Sequence, residues 1–141
     1  MSLLVPPEFL RAIQAHGEVA YPNEGCGLLL GREAGADKQV VDLLPIRNGR
    51  EPEAAHNRYL ITPQDMLRGE QVAVERGLDV IGIFHSHPDH PAVPSEFDRE
   101  HALPWYSYVI SSIDHGRAVV SRSWLLGEDY LSFAEESIDT Q

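Results

Sequence analysis

The sequence has little cysteine, few basic residues and no long apolar run. Its 141 residues include one cysteine, Cys26, which excludes an internal disulfide and a zinc site built from several thiolates. Eleven lysines and arginines stand against 22 acidic residues, and the net charge of −11 disfavours phosphate backbones and anionic lipids as partners. No stretch approaches the roughly 18 apolar residues that span a bilayer. We therefore expect no nucleic-acid partner and no membrane partner.

What is present fits one globular domain. Apolar residues make up 43% of the chain and charged residues 23%, which is ordinary usage for a globular protein. The start of the sequence, from Met1 to Glu8, lacks a basic segment and a long apolar segment, so we predict no secretory signal. Together with the single cysteine, this predicts one cytoplasmic domain over residues 1–141, with a frayed polar end from about residue 135 to 141.

Local patterns predict helices and strands in alternation. Thr62, Pro63 and Asp65 supply an N-cap, a proline at the first helical position and an acid in the first turn. Ser95 and Asp98 give a second helix the same kind of start. In chain order we predict a helix over 7–20, strands over 25–31, 39–47 and 58–61, a helix over 63–76, a strand over 78–84, a loop over 85–94, a helix over 95–103, and strands over 106–113, 117–126 and 130–134. This order indicates an α/β (α+β) fold with a mixed β-sheet flanked by helices.

Two histidines at the end of an apolar strand have the spacing of metal ligands. His85 and His87 are two residues apart, so the alternation of strand side chains directs both imidazoles to one face. Asp98 lies eleven residues later, in the first turn of the next helix, where it can reach back as an oxygen ligand. Two histidines and a carboxylate, with the fourth position open for water, are the pattern of a catalytic zinc site. His90 is an alternative fourth ligand, although its proline-rich loop predicts an exposed side chain.

Amide hydrolysis also needs a proton carrier and a donor for the developing oxyanion. Glu24, just before the strand over 25–31, is our candidate general acid/base, and the Ser95 hydroxyl is our candidate oxyanion donor. Each residue also has a purely structural interpretation: Ser95 as a helix cap, Asp98 as a first-turn acid, and Glu24 as an exposed carboxylate.

Taken together, these residues resemble the JAMM (MPN+) metalloprotease motif: an upstream Glu24, then His85-x-His87, seven residues, and Ser95-x-x-Asp98. The resemblance implies a JAMM/MPN domain of cytidine-deaminase-like fold that binds one Zn²⁺ per chain, with water as the fourth ligand. It assigns the two histidines and Asp98 to zinc, Glu24 to general acid/base catalysis and Ser95 to stabilising the tetrahedral intermediate.

The resemblance covers roughly Val5 to Phe133 and is to the compact, stand-alone prokaryotic branch of the family. The 54 residues after His87 are taken up by the predicted helix and strands, so we expect none of the insertions with which eukaryotic members hold ubiquitin. The implied activity is a zinc metallopeptidase that cleaves after the C-terminal Gly-Gly of a ubiquitin-like or sulfur-carrier protein and releases cysteine or another small adduct.

Two alternative functions stay open within the family, whereas two other classes of zinc enzyme are excluded. The alternatives are an isopeptidase that removes ubiquitin-like modifiers from lysine and a non-catalytic MPN scaffold that only binds a partner. A zinc deaminase is excluded because its Pro-Cys-x-x-Cys segment needs a second cysteine. The His-Glu-x-x-His helix of other zinc proteases is absent as well.

Overall fold

The computed structural model describes residues 2–51 and 54–140. Within these residues the chain forms three helices and seven strands, in the order β1 (Ser2–Leu4), α1 (Pro7–Ala20), β2 (Cys26–Ala34), β3 (Asp37–Ile46), α2 (Pro63–Glu75), β4 (Asp79–Pro88), α3 (Glu96–His101), β5 (Ser107–Asp114), β6 (Arg117–Leu126) and β7 (Phe133–Asp139). No helix in this part of the chain is long and apolar enough to cross a bilayer.

The helices begin where their capping residues predict. Pro7 is the first residue of α1. Thr62 caps α2 by accepting a hydrogen bond from the Asp65 backbone N–H, and the Asp65 carboxylate accepts one from the Thr62 N–H. Ser95 and Asp98 form the same reciprocal pair at α3. These capping boxes satisfy backbone donors that have no partner inside the helix, and thus fix both start points.

The strands form one mixed sheet that closes on itself, in the order β1-β3-β2-β4-β5-β6-β7 and back to β1. The pair β4–β5 is parallel, as are the pairs of β1 with β3 and with β7, and the remaining neighbours are antiparallel. The predicted mixed sheet with flanking helices is confirmed. Its closure into a barrel was not predicted, and the cytidine-deaminase-like type of the fold stays a prediction.

Four element predictions are wrong, and in each case contacts distant in sequence decide the outcome. The short β1 was missed; it pairs only with strands far along the chain. Residues 58–61 are not a strand, because the Leu60 backbone bonds instead to the loop at residues 48 and 49. The loop expected from His85 begins only after Pro88, since β4 continues through both histidines.

The fourth correction concerns the end of the chain. The predicted strand over 130–134 is shifted to Phe133–Asp139, and residues 135–139 are therefore not frayed. This strand pairs with β6 on one side and with β1 on the other. Glu136 is buried there and accepts a hydrogen bond from the buried Ser123 hydroxyl at 2.7 Å. Residue 141, the last of the predicted tail, lies outside the described residues.

The central strands β2 and β4 are covered on both faces, as the continuous apolar run of β4 predicts. Leu29 faces a core cluster that includes Ile13 of α1, whereas Leu28 and Leu30 face another that includes Ala73 of α2. All three leucines are fully buried. α1 and α2 therefore pack on opposite faces of the middle of the sheet, and this packing positions the carboxyl end of β4.

Close strand contact at Gly82 of β4 yields the first testable prediction. A Cβ at this buried position would lie 2.2 Å from the Ser107 carbonyl oxygen of β5, so Gly82→Ala forces the two parallel strands apart. We expect a loss of about 2–3 kcal/mol in the free energy of unfolding, seen as a fall of roughly 10 °C in Tm. Gly49→Ala is the matched control, since its Cβ would have nothing closer than 3.4 Å. Equal Tm values for the two variants would contradict this account of the sheet.

Candidate active site

Three potential ligand atoms from β4 and α3 converge at the end of β4. The Nε2 atoms of His85 and His87 are 3.2 Å apart. Asp98 places Oδ2 at 3.1 Å from His87 Nε2 and Oδ1 at 3.3 Å from His85 Nε2. All three residues are buried, and they form one of two groups with metal-ligand spacing among the described residues. The sequence prediction that these side chains meet is confirmed by the geometry.

The spacing and chemistry of these atoms fit a tetrahedral metal ion. Nitrogen and oxygen ligands at ~2.0–2.1 Å from tetrahedral zinc lie about 3.3 Å from one another. The three separations found here, 3.1 to 3.3 Å, match that value. Two imidazoles and one carboxylate leave a fourth position for water or substrate. The second group, formed by Asp89, Asp114 and His115, is exposed on all three residues.

Each histidine is oriented by a second contact. His87 Nδ1 donates a hydrogen bond to the Pro91 carbonyl oxygen at 2.9 Å, so the neutral ring keeps its proton on Nδ1 and its Nε2, which faces Asp98, is the atom that a metal ion would bind. The ring of Tyr59 stacks on His85 at a centroid distance of 4.6 Å. Burial lowers the pKa of His85 against the opposing effect of Asp98, a shift that favours the neutral imidazole that a metal ligand needs.

Asp98 serves the helix and the cluster with the same carboxylate. Its Oδ2 accepts a hydrogen bond from the Ser95 backbone N–H at 2.8 Å and also faces His87. Burial opposes ionisation of this carboxyl, but the two neighbouring imidazoles outweigh it and hold the pKa of Asp98 well below its usual range. The cap and ligand interpretations of Asp98 are thus compatible, because the capping bond aims the carboxylate at the histidines.

Glu24 lies beside this cluster and is buried, so its interpretation as an exposed carboxylate is wrong. Only 5% of the residue is accessible, and Oε1 has no hydrogen-bond partner within the described chain. Burial raises the pKa of Glu24 to about 8, with His87 opposing the shift and Asp98 adding to it. A carboxyl that titrates near neutral pH suits a group that must both take up and release a proton.

Asn48 holds the backbone around Glu24 and was given no role by sequence reasoning. Its amide nitrogen donates to the carbonyl oxygens of Glu24 and Arg58, both at 2.9 Å. Its Oδ1 accepts from the backbone N–H groups of Arg50 and Leu60, at 3.0 and 3.1 Å. Every donor and acceptor site of the amide is used. Such a network depends on the fold, and a lone asparagine after a strand carries no local signal for it.

A groove of about 640 Å³ opens onto these residues, with Glu24, His87, Ser95 and Phe97 in its wall. A second cavity of about 220 Å³ is also lined by Phe97 and adjoins Asp98. All five predicted site residues therefore lie at one location. His90 also lines the groove, but it is exposed, as predicted, and lies outside the ligand cluster.

Comparison with known proteins gives relatives over most of the chain. It is 35% identical over 117 residues to a probable TtuB-protein conjugate cleaving protease of Thermus thermophilus, covering 82% of this chain and 74% of that protein. It is 30% identical over 129 residues to a desampylase of Pyrococcus furiosus, covering 90% and 83%. A solution structure of a Desulfitobacterium hafniense protein superposes with a TM-score of 0.85 at 31% identity, covering 100% and 93%.

A second solution structure, of a Salinibacter ruber protein, gives a TM-score of 0.77 at 39% identity and covers 100% of this chain and 92% of that one. The model of the family described as prokaryotic homologs of the JAB domain matches residues 6–127, a range that contains all five candidate site residues. The resemblance drawn from the motif is thereby confirmed, and the chain belongs to the prokaryotic homologs of the JAB domain.

Proposed function

We propose that this protein is a zinc-dependent metallopeptidase that hydrolyses the amide bond after the C-terminal Gly-Gly of a ubiquitin-like or sulfur-carrier protein. The observation that carries the proposal is the convergence of three potential ligand atoms, 3.1 to 3.3 Å apart, beside the buried Glu24 carboxyl, whose Oε1 has no hydrogen-bond partner among the described residues. The substrate class is supported by the relatives, one of which is named as a probable TtuB-protein conjugate cleaving protease and two as desampylases.

In this proposal His85, His87 and Asp98 hold one zinc ion. When bound, zinc supplies Lewis acidity that makes water nucleophilic near neutral pH and polarises the scissile carbonyl. The Pro91 carbonyl keeps the His87 ring in the tautomer that ligation needs, and the Ser95 backbone N–H orients the carboxylate.

Glu24 moves the proton that hydrolysis requires. Its carboxylate takes a proton from the attacking water and passes it to the nitrogen of the leaving amine, so the carboxylate is restored after each turnover. The groove brings this side chain next to His87 and Ser95. With its pKa at about 8, the group is poised for transfer in both directions.

Ser95 donates its hydroxyl proton to the oxyanion that forms on the substrate carbonyl. Its Oγ accepts a hydrogen bond from the Asp98 backbone N–H at 3.1 Å. That bond uses a lone pair and leaves the hydroxyl proton available for the groove. The residue is exposed to the groove, where an oxyanion donor has to be.

Removal of an intact modifier from lysine is the second candidate reaction, favoured by the relative that is named as a probable TtuB-protein conjugate cleaving protease. Both reactions cleave after the same Gly-Gly and differ in the amine that leaves. The scaffold alternative is disfavoured because the ligand atoms and the buried Glu24 keep the arrangement that chemistry needs.

The central prediction concerns Glu24→Gln, which keeps the shape of the side chain and removes its proton-transfer capacity. We expect unchanged zinc content and a fall in kcat of about 10³-fold or more. Intact-mass spectrometry would follow carriers that end in Gly-Gly and bear a C-terminal cysteine or short peptide, beside carriers joined to lysine. Glu100→Gln, an exposed carboxylate on α3, is the control and should retain full activity. An equally active Glu24→Gln protein would overturn the mechanism.

Metal binding is tested by Asp98→Asn, whose amide oxygen can still accept the capping bond while the ligand charge is lost. Isothermal titration of the metal-free protein should give one zinc per chain for the wild type and an affinity weakened at least ~100-fold for the variant. Asp114→Asn, in the exposed second group, should bind like the wild type. Loss of zinc in Asp114→Asn with full binding in Asp98→Asn would place the metal elsewhere.

The buried Glu24 also predicts how stability varies with pH in metal-free protein. Its pKa rises from 4.5 to about 8 through burial, so the folded state disfavours the charged form. Below pH 4.5 the folded and the unfolded state both hold the Glu24 proton, so burial of this carboxyl costs little. Between pH 4.5 and about 8 the unfolded state loses the proton while the folded state keeps it, and the free energy of unfolding falls. We expect Glu24→Gln to have the same Tm as wild type at pH 4 and a Tm higher by roughly 5–10 °C at pH 8.5. Parallel melting curves at all pH values would contradict this.

A further inference from the structure

His85 differs from the other two candidate ligands in how its side chain is held. His87 donates a hydrogen bond to the Pro91 carbonyl oxygen. The Asp98 carboxylate accepts one from the Ser95 backbone N–H. The Nδ1 atom of His85, by contrast, is buried and has no hydrogen-bond partner among the residues that the structure describes. A histidine ligand is ordinarily oriented by a hydrogen bond to its second ring nitrogen, so a contact of another kind has to fix this imidazole.

The ring of Tyr59 provides such a contact. It lies over the His85 imidazole with a centroid distance of 4.6 Å and an angle of 29° between the two planes. The neighbouring His87 ring is at 5.0 Å but is inclined by 59°, so it offers His85 no parallel face. A parallel aromatic face resists tilting of the imidazole, and the Nε2 lone pair lies in the plane of that ring. The stack therefore keeps Nε2 aimed at the place where the three candidate ligand atoms converge.

Tyr59 lies in a loop, and the side chain of Asn48 holds that loop on both sides of the tyrosine. The Asn48 amide donates to the Arg58 carbonyl oxygen at 2.9 Å and accepts from the Leu60 backbone N–H at 3.1 Å. The same amide nitrogen donates to the Glu24 carbonyl oxygen at 2.9 Å. One side chain thus fixes the backbone beside the stacking ring and the backbone of the proposed general acid/base.

Packing is the simpler account of Tyr59, because this residue also packs against the core cluster that includes Ala73 of α2. The two roles differ in the side chain that they require. An apolar side chain without a ring fills much of the same space, whereas only an aromatic ring keeps a flat face against the imidazole. Tyr106 packs against the same cluster and lines the same cavity, but the aromatic contacts of its ring in the described chain are with Trp105 and Tyr108.

We propose that Tyr59 is a positioning residue of the proposed zinc site: its ring fixes the plane of the His85 imidazole, and Asn48 holds this ring in register with Glu24. The inference rests on the proposed function and adds to it a residue that acts through His85. It also joins the two parts of the reaction centre, because metal affinity and proton transfer then both depend on one asparagine amide.

Substitutions at Tyr59 separate stacking from packing. We expect Tyr59→Leu to raise the Kd for zinc about 10-fold or more, measured by calorimetric titration of metal-free protein in competition with a chelator. Tyr59→Phe keeps the ring and should stay within about 2-fold of the wild type. Tyr106→Leu is the matched control: it removes a ring from the same cavity and should bind zinc like the wild type. The absorption bands of bound Co²⁺, which report ligand arrangement, should change in Tyr59→Leu alone.

Three results would overturn the positioning role. The first is equal zinc affinity in Tyr59→Leu and the wild type. The second is an equal loss in Tyr59→Leu and Tyr59→Phe, which would assign the effect to the hydroxyl. The third is an equal loss in Tyr59→Leu and Tyr106→Leu, which would assign it to packing.

Asn48→Ala tests the link between the loop and the ring. It should weaken zinc binding by a factor similar to that of Tyr59→Leu. The double variant should bind zinc no more weakly than the weaker single variant, because both changes release the same imidazole. Factors that multiply in the double variant would overturn the link to Asn48.

None of these measurements needs a substrate, so they separate the positioning role from the proposed function. A wild type that binds zinc and cleaves no carrier contradicts the proposed function, while the metal affinities still decide the role of Tyr59. The stack is also observable without metal, because the ring current of an aromatic face shifts the NMR signal of the His85 Cε1 proton upfield. We expect this shift in metal-free wild type and Tyr59→Phe and its loss in Tyr59→Leu. The same signal position in all three proteins would overturn the stack whether or not zinc binds.

Discussion

The carboxylate of Asp98 is the point on which the rest of the site depends. It accepts the capping hydrogen bond that starts α3 and faces the Nε2 atoms of both histidines on β4. A helix start and a strand end are thereby fixed to each other through one side chain. Ser95 is placed by the same bonds, because its hydroxyl receives the other half of the capping box. The relative positions of the candidate metal ligands and of the proposed oxyanion donor thus follow from ordinary helix capping.

The sheet supplies the rigid frame for this junction. β4 lies between β2 and β5 and is buried along most of its length, so the histidines project from a strand that is paired on both sides and packed on both faces. Glu24 comes two residues before β2, and the pairing of Cys26 with His85 brings it to the same end of the sheet. Catalytic groups held on packed strands are placed more precisely than groups on free loops. This placement buries the Glu24 carboxyl, and within the described part of the chain its Oε1 has no hydrogen-bond partner, a cost that the hydrophobic core has to offset.

The parts of the fold that the sequence predicts are those with local causes. Capping boxes at Thr62 and Ser95 located two helices, and the two-residue spacing of His85 and His87 indicated a shared face. Features set by distant contacts were missed. β1 and β7 depend on pairing between two distant parts of the chain, and Glu24 is held by a backbone hydrogen bond to Ala55, 31 residues later. Arg50 and Arg58 also carry no spacing signal for their contact with Phe97, since each meets the ring only through the tertiary fold.

The hydrogen bonds of Asn48 also affect how readily this protein undergoes spontaneous deamidation. Asn-Gly is the dipeptide that most readily cyclises to a succinimide, because the glycine nitrogen can attack the side-chain carbonyl without hindrance. Here the Gly49 nitrogen is engaged with the Leu60 carbonyl oxygen at 3.1 Å, and the Asn48 amide is fully bonded. The folded loop therefore shields a chemically fragile sequence. Deamidation after local opening would replace an amide by a carboxylate, which cannot donate to the Glu24 carbonyl, so spontaneous damage at this loop would reach the backbone of the proposed general acid/base directly.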